Sequence, residues 1–252
     1  MKKLVISLIL MISSALWGEE RIEYSPEFRM LKGRAHIVGE EEPYSGKVLI
    51  TFKDGNTKSE GSYRDGRKDG EWSVYYESGR LRSRGKYRDG RKVEEWDYYY
   101  SNGDLWSRGS YRDGKVHGEW EFYNASGIDY RGGYIEGKKH GEWIYYRMGE
   151  RYKRESYRDG RKHGELILYH FDGGVNYRVN YVDGLEEGEY LEYHESGGVK
   201  FKIDYKGGRK DGEWILYYED GRVKSQGNYR AGEKVGDWYY YHEDGRVDHK
   251  KH

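Results

Sequence analysis

The chain has 252 residues, with 45 Lys plus Arg against 45 Asp plus Glu, no Cys, and a formal net charge of zero. That balance argues against a nucleic-acid binder whose affinity rests on neutralising phosphates, and the missing thiols exclude disulfides and thiolate metal sites. Charged residues make up 36% and aromatics 17%, with 29 Tyr and 8 Trp, so the chain is too aromatic for disorder and too polar for a thick two-layer core.

In chain order, residues 1–18 read as an export signal peptide. Lys2 and Lys3 give a positive start, Leu4 to Leu16 is apolar apart from serines, and Ser13, Ser14, Ala15 and Gly18 offer a small-residue cleavage site before Glu19 and Glu20. The apolar run is short for a membrane span, which needs about 20 residues. Residues 19–45 form an N-terminal cap segment with room for a strand or two.

From residue 46 the chain repeats. An anchor column runs Val48, Trp72, Trp96, Trp120, Trp143, Leu166, Tyr190, Trp214 and Trp238, at spacings of 24 residues, or 23 on either side of Trp143. Tyr63, Tyr87, Tyr111, Tyr134, Tyr157, Tyr181, Tyr205 and Tyr229 form a second column. Turn glycines from Gly55 to Gly245 form a third. Nine units therefore span 46–245, and 246–252 is a charged C-terminal tail.

Each unit holds two short alternating runs separated by Gly-containing turns, which reads as a β-hairpin. In the second unit, a four-residue turn at 77–80 would pair Tyr76 with Leu81, Val74 with Ser83 and Trp72 with Gly85. The same register sets Trp96, Trp120 and Trp214 opposite Gly109, Gly132 and Gly227. Where Trp is lost its partner grows, as in Leu166 with Val179 and Tyr190 with Ile203; Trp143 opposite Glu155 breaks the pattern. The other face would alternate Glu71, Ser73 and Tyr75 with Lys86, Arg84 and Arg82, a salt-bridged solvated face. The expected fold class is all-β: an elongated single antiparallel meander of about nine consecutive hairpins, a twisted open sheet. Eighteen strands at the usual spacing would give a body about 85 Å long.

The run Gly70-x-Trp72-x-x-Tyr75-Tyr76-x-x-Gly79, followed by Gly85-x-Tyr87-x-x-Gly90, resembles the bacterial variant of the MORN repeat. The resemblance extends to Pro43-Tyr44-Ser45-Gly46-Lys47 at the start of the array. Bacterial chains of this kind are grouped with YwqK-type antitoxins, so the resemblance implies a protein partner, such as a toxin neutralised by binding. It also implies self-association and, for some arrays, phospholipid contact; separately, aromatics that stack on sugars and Arg or Lys that meet phosphates offer membrane or cell-wall glycan contact as an alternative. Choline-binding and YD repeats share parts of the rhythm and fit less well.

Signatures of catalysis are missing: no phosphate loop, nucleophile elbow or H-E-x-x-H occurs. His117, His140 and His163 share one turn position in successive units. They would stand about 9–10 Å apart, too far to share one ion. The reading is a non-enzymatic exported scaffold with no cofactor, no metal and no nucleic acid. Its candidate partner-binding residues are Trp72, Trp96, Trp106, Trp120 and Trp143, with core packing as the competing role for each; Trp106 stands apart, outside the anchor column.

Overall fold

The chain turns back on itself at short, regular intervals, and two kinds of turn set its architecture. A computed structural model describes residues 22–24 and 26–252; the signal-peptide reading lies outside the described residues. The N-terminal part supplies β1 (Ile22–Tyr24), β2 (Phe28–Leu31) and β3 (Arg34–Ile37), and the array begins with β4 (Gly46–Thr51). From β4 to the strand Val247–Lys251, every strand pairs antiparallel with the next. This is the expected meander of hairpins in one sheet. β1 adds a nineteenth strand, parallel to β4.

Between units, the phrase Tyr-Arg-Asp-Gly-Arg makes a two-residue turn. Arg64 pairs with Arg67, and Asp65 and Gly66 both take positive φ, 50° and 72°. This is the Asp-Gly turn whose twist matches antiparallel strands. The polar stretch Arg88 to Val93 is therefore mostly strand, closed by Asp89-Gly90 between Arg88 and Arg91. Inside each unit the turn is longer. The Tyr76 amide donates to the Arg80 carbonyl, and the strand beyond bulges. Tyr75, not Tyr76, then faces Leu81, because Arg82 is the bulged residue and drops out of the pairing. The two 23-residue units shorten this turn: Asn124 pairs with Gly127 and Arg147 with Glu150.

Neighbouring units are stitched beyond the strand pairing. The amide of Gly90 donates to the Lys68 carbonyl at 2.8 Å, and Gly114, Gly137, Gly160, Gly184, Gly208 and Gly232 repeat the bond one unit on. At the opposite edge the Tyr76 and Tyr100 hydroxyls donate to the carbonyls of Tyr99 and Tyr123. Each unit thus depends mainly on its neighbours.

A second bulge sits two residues before each anchor, where Gly70 (φ 79°) leaves the ladder between Asp69 and Trp72. Glu94 holds that position in the next unit at φ 58°. A left-handed conformation costs a non-glycine residue about 1–2 kcal/mol. The exposed ion pairs of Glu94 with Lys86 and Arg88 return less than that. Glu94→Gly should therefore raise stability by about 0.5–1 kcal/mol in urea unfolding; a loss would show that the ion pairs dominate.

The hairpin of β2 and β3 docks on the first inter-unit turn, with the Ala35 amide donating to the Gly66 carbonyl at 2.8 Å. Phe28 and Ile37 pack against the buried cluster of Tyr44, Val48 and Trp72. At the other end the charged tail is a strand. It places Lys250 opposite Trp238 and His252 against the Trp238 ring, closing the last hairpin.

The charged face carries the ion pairs that the sequence suggests. Arg154 bridges Glu142 and Glu165, Arg178 bridges Glu165 and Glu189, and Lys202 bridges Glu189 and Glu213. The row beside it changes character at mid-array, from Ser73, Asp97 and Glu121 to Ile144, Ile167, Leu191 and Ile215. Arg154, Arg178 and Lys202 stand opposite Ile167, Leu191 and Ile215 on the neighbouring strands.

Candidate interaction surface

The other face is aromatic, and it begins with a problem: a single-layer sheet has nothing opposite to bury an indole. Trp72, Trp96, Trp120 and Trp143 are nevertheless only 2%, 2%, 4% and 0% exposed. Each lies flat on a glycine of the preceding strand. A Cβ on Gly61, Gly85, Gly109 or Gly132 would fall 2.2–2.3 Å from the ring of Trp72, Trp96, Trp120 or Trp143. Each indole N–H donates to the carbonyl just after that glycine, as from Trp96 to Lys86 at 3.1 Å. Tyrosines flank the rings edge-on, Tyr87–Trp96 at 5.1 Å and Tyr134–Trp143 at 5.1 Å. Lysines roof them, with Lys68, Lys92 and Lys139 Nζ at 3.9, 4.1 and 3.9 Å from the ring centres.

The expected pairings of these tryptophans with the following strand are present, yet the indoles lean the other way. That resolves the exception at Trp143, which covers Gly132 like its neighbours. Glu155 instead occupies the glycine position of the next unit, where it faces Leu166. Val179 faces Tyr190, and Ile203 faces Trp214, which is only half-buried. Full burial of an indole thus requires glycine beneath it.

Glu155 is 3% exposed. Burial works against its charge. The hydroxyls of Tyr145 and Tyr157, each 2.7 Å away, and the ammonium groups of Lys153 and Lys162 outweigh that and hold its carboxyl below the usual range. The same network, with burial, pushes the Tyr145 and Tyr157 hydroxyls up. A carboxyl lowered in the folded state stabilises above its unfolded value, and that contribution is lost as pH falls through the folded one. Glu155→Gln should therefore flatten part of the acid limb of stability between neutral pH and pH 3; an unchanged limb would remove Glu155 from it.

Of the five candidate tryptophans, the four anchors pack inside the sheet and offer a partner no surface in this fold. Their indoles are enclosed by glycine and tyrosine, with a lysine over Trp72, Trp96 and Trp143 and Val116 at the equivalent place for Trp120. Trp106 is different, at 44% exposed. It is a bulge residue, in the place of Arg82, and it leans onto the aromatic side rather than the charged one, 6.1 Å from Tyr98. From there rings touch in sequence across the central units: Tyr98–Trp120 6.2 Å, Trp120–Phe122 5.9 Å, Phe122–Tyr130 4.4 Å, Tyr130–Tyr145 5.7 Å and Tyr145–Tyr152 6.4 Å. Tyr152 is the second aromatic bulge residue, and Arg147 lies 4.6 Å over it. The sequence carried a signal for this strip that the anchor columns hide: Tyr98, Phe122 and Tyr145 recur two residues after the Trp.

Along the aromatic face, burial lowers the pKa of Lys68, Lys92 and Lys139. Lys92 also donates to the Tyr98 hydroxyl at 2.7 Å. Of the histidine row, His163 takes a structural place: its Nδ1 accepts from the Asp183 amide at 3.5 Å, as Asp211 accepts from the Ala231 amide at 2.9 Å, whereas the Nδ1 atoms of His117 and His140 are buried without a hydrogen-bond partner. Among the described residues, no group of three or more His, Asp or Glu could hold a metal, and no helix is long and apolar enough to cross a membrane.

Comparison with known proteins gives one family. The MORN repeat variant matches residues 68–89, 186–206 and 210–231. No curated protein matches the chain. Among solved structures, a GtfA/B complex bound to UDP and GlcNAc aligns at TM-score 0.22 and 14% identity over 45% of this chain and 22% of that one. A TcdB2-TccC3-Cdc42 structure aligns at 0.20 and 14% over 89% and 13%. A porin-like protein from Bacteroides uniformis aligns at 0.18 and 8% over 90% and 96%. The chain thus spans under a quarter of the length of the first two, and scores this low bear on neither fold nor function. Three segments of the chain thus match the MORN repeat variant, and the Trp, Tyr and Gly columns of those segments run through the units between them.

Proposed function

We propose that this protein is a non-enzymatic repeat scaffold of the cell envelope or exterior, and that it binds another protein along the central aromatic strip. The observation that carries the reading is Trp106: a large exposed indole at a bulge where other units hold Lys58, Arg82, Asp129, Tyr152, Asn176, Lys200 or Lys224, at the head of a continuous run of rings. Exposed aromatics on a rigid sheet supply large contact area with little entropy to lose, and tryptophan is the residue most enriched where binding energy concentrates. The Lys2-Lys3 start and short apolar run support the exported location. An immunity-like role, capture of a toxin acting in the envelope, is the form of protein binding that the repeat family suggests.

The test uses a photo-crosslinking amino acid at position 106, and separately at Ser73 on the charged face, in envelope extract of the source cells. A protein captured from position 106 and not from 73 supports the strip; identical capture from both faces overturns it. Trp106→Ala should leave unfolding within about 0.5 kcal/mol of the parent, as for a surface residue. A loss well beyond that would make Trp106 a packing residue.

A further inference from the structure

The lysines over the indoles form a row along the long axis of the array, one place per unit. From the second unit on, the places are Lys68, Lys92, Val116, Lys139, Lys162, Glu186, Lys210 and Lys234, and the first four of these lie along the central units. Consecutive places are two strands apart, about 9.6 Å. Lys162 is already neutralised by Glu155 at 3.4 Å. Lys68, Lys92 and Lys139 instead lie over rings; Lys92 and Lys139 donate to the Tyr98 and Tyr145 hydroxyls, and Lys139 also feels the charge of Glu155 beyond Tyr145. The row is thus cationic, cationic, apolar, cationic, on an aromatic face.

A polyproline-type segment advances about 3.1 Å per residue, so three residues cover about 9.3 Å and return to the same side. That is the pitch of the row. Aromatic-lined surfaces suit such segments, which lose little entropy on binding. Sugar rings, by contrast, stack on open ring faces. Here the faces are largely covered by one another, as in Phe122 on Tyr130 at 4.4 Å and 21°.

We propose that the strip, on the reading above, receives an extended acidic segment of the partner protein that crosses the strands along the array. Its carboxylates occupy positions i, i+3 and i+9 over Lys68, Lys92 and Lys139, and an apolar residue at i+6 meets Val116. The segment winds with the twist of the sheet. Association is steered by charge and weakens with salt.

The test is fluorescence anisotropy with the intact chain and two labelled proline-rich peptides of equal composition. One has Glu at positions 1, 4 and 10 with Val at 7; the other has Glu at 1, 3 and 5. The first should bind at least about tenfold tighter, a difference of about 1.4 kcal/mol. Lys92→Gln should weaken it about fivefold or more. Lys234→Gln removes the same kind of lysine, 4.0 Å over Trp238 but outside the strip, and should leave binding unchanged, which separates recognition from packing. Equal binding of both peptides, with both lost in Trp106→Ala, overturns the spacing and leaves the strip reading standing. Equal weakening by Lys92→Gln and Lys234→Gln overturns the row. Binding of neither peptide, or displacement by a polyanionic glycan that binds tighter, overturns the acidic segment; the crosslink at position 106 judges the strip reading separately.

Discussion

Gly109→Ala should cost about 3 kcal/mol, although it adds one methyl group to a one-layer sheet. The added carbon would sit 2.2 Å from the Trp120 ring, and the ring cannot retreat. Its N–H is bonded to the Ser110 carbonyl at 3.1 Å, Tyr111 stands edge-on at 5.4 Å, and Phe122 stacks at 5.9 Å. Overpacking of this kind costs about 1–3 kcal/mol, and more where the neighbour is pinned. Gly198→Ala is the control: nothing lies within 4 Å of its added carbon and its φ is not positive, so its effect should stay within about 0.5 kcal/mol. Tryptophan fluorescence during urea unfolding is the measurement, because it reports the ladder itself in an array that need not unfold in one step. Equal stability of the two variants would mean that the indoles do not rest on the glycines.

The larger effect is a compensation. Leu166→Trp alone should lose about 3 kcal/mol, because an indole in the common pose would collide with the Glu155 side chain. Glu155→Gly alone should lose about 3 kcal/mol too. It strips the Tyr145 and Tyr157 hydroxyls and the Lys153 and Lys162 ammonium groups of their shared partner, and it opens space over Leu166. Together the two substitutions rebuild the glycine–tryptophan pair of the other units, and Lys162 is placed to roof the new ring as Lys139 roofs Trp143. The double variant should therefore recover most of the loss, a coupling of about 2–3 kcal/mol; additive losses within about 0.5 kcal/mol would sink the account.

These two experiments mark the boundary between what a reading of residues reaches and what it misses. The period, the hairpins and the face alternation are legible because they rest on local chemistry. Asp-Gly permits its turn, alternation sets the faces, and a glycine column at constant distance from a tryptophan column fixes the pairing to within one bulge. The bulge itself is not legible. Tyr75 rather than Tyr76 meets Leu81 because the turn geometry absorbs Arg82, which depends on backbone angles that many sequences tolerate.

Side-chain direction is the deeper limit. Trp96 pairs with Gly85 on one neighbour and Gly109 on the other, so pairing alone leaves both under the ring; the rotamer chooses Gly85. That choice decides everything on the aromatic face. It buries Trp72, Trp96, Trp120 and Trp143, turns Glu155 from an irregularity into the partner of Leu166, and leaves Trp106 as the exposed indole. The sequence by itself determined the repeat, the all-β class and the separation of a charged from an aromatic face, since each follows from spacing along the chain. Only the tertiary structure decided which aromatics are core and which are surface, because burial in a single sheet depends on which neighbour an indole leans toward and on the lysine that closes over it.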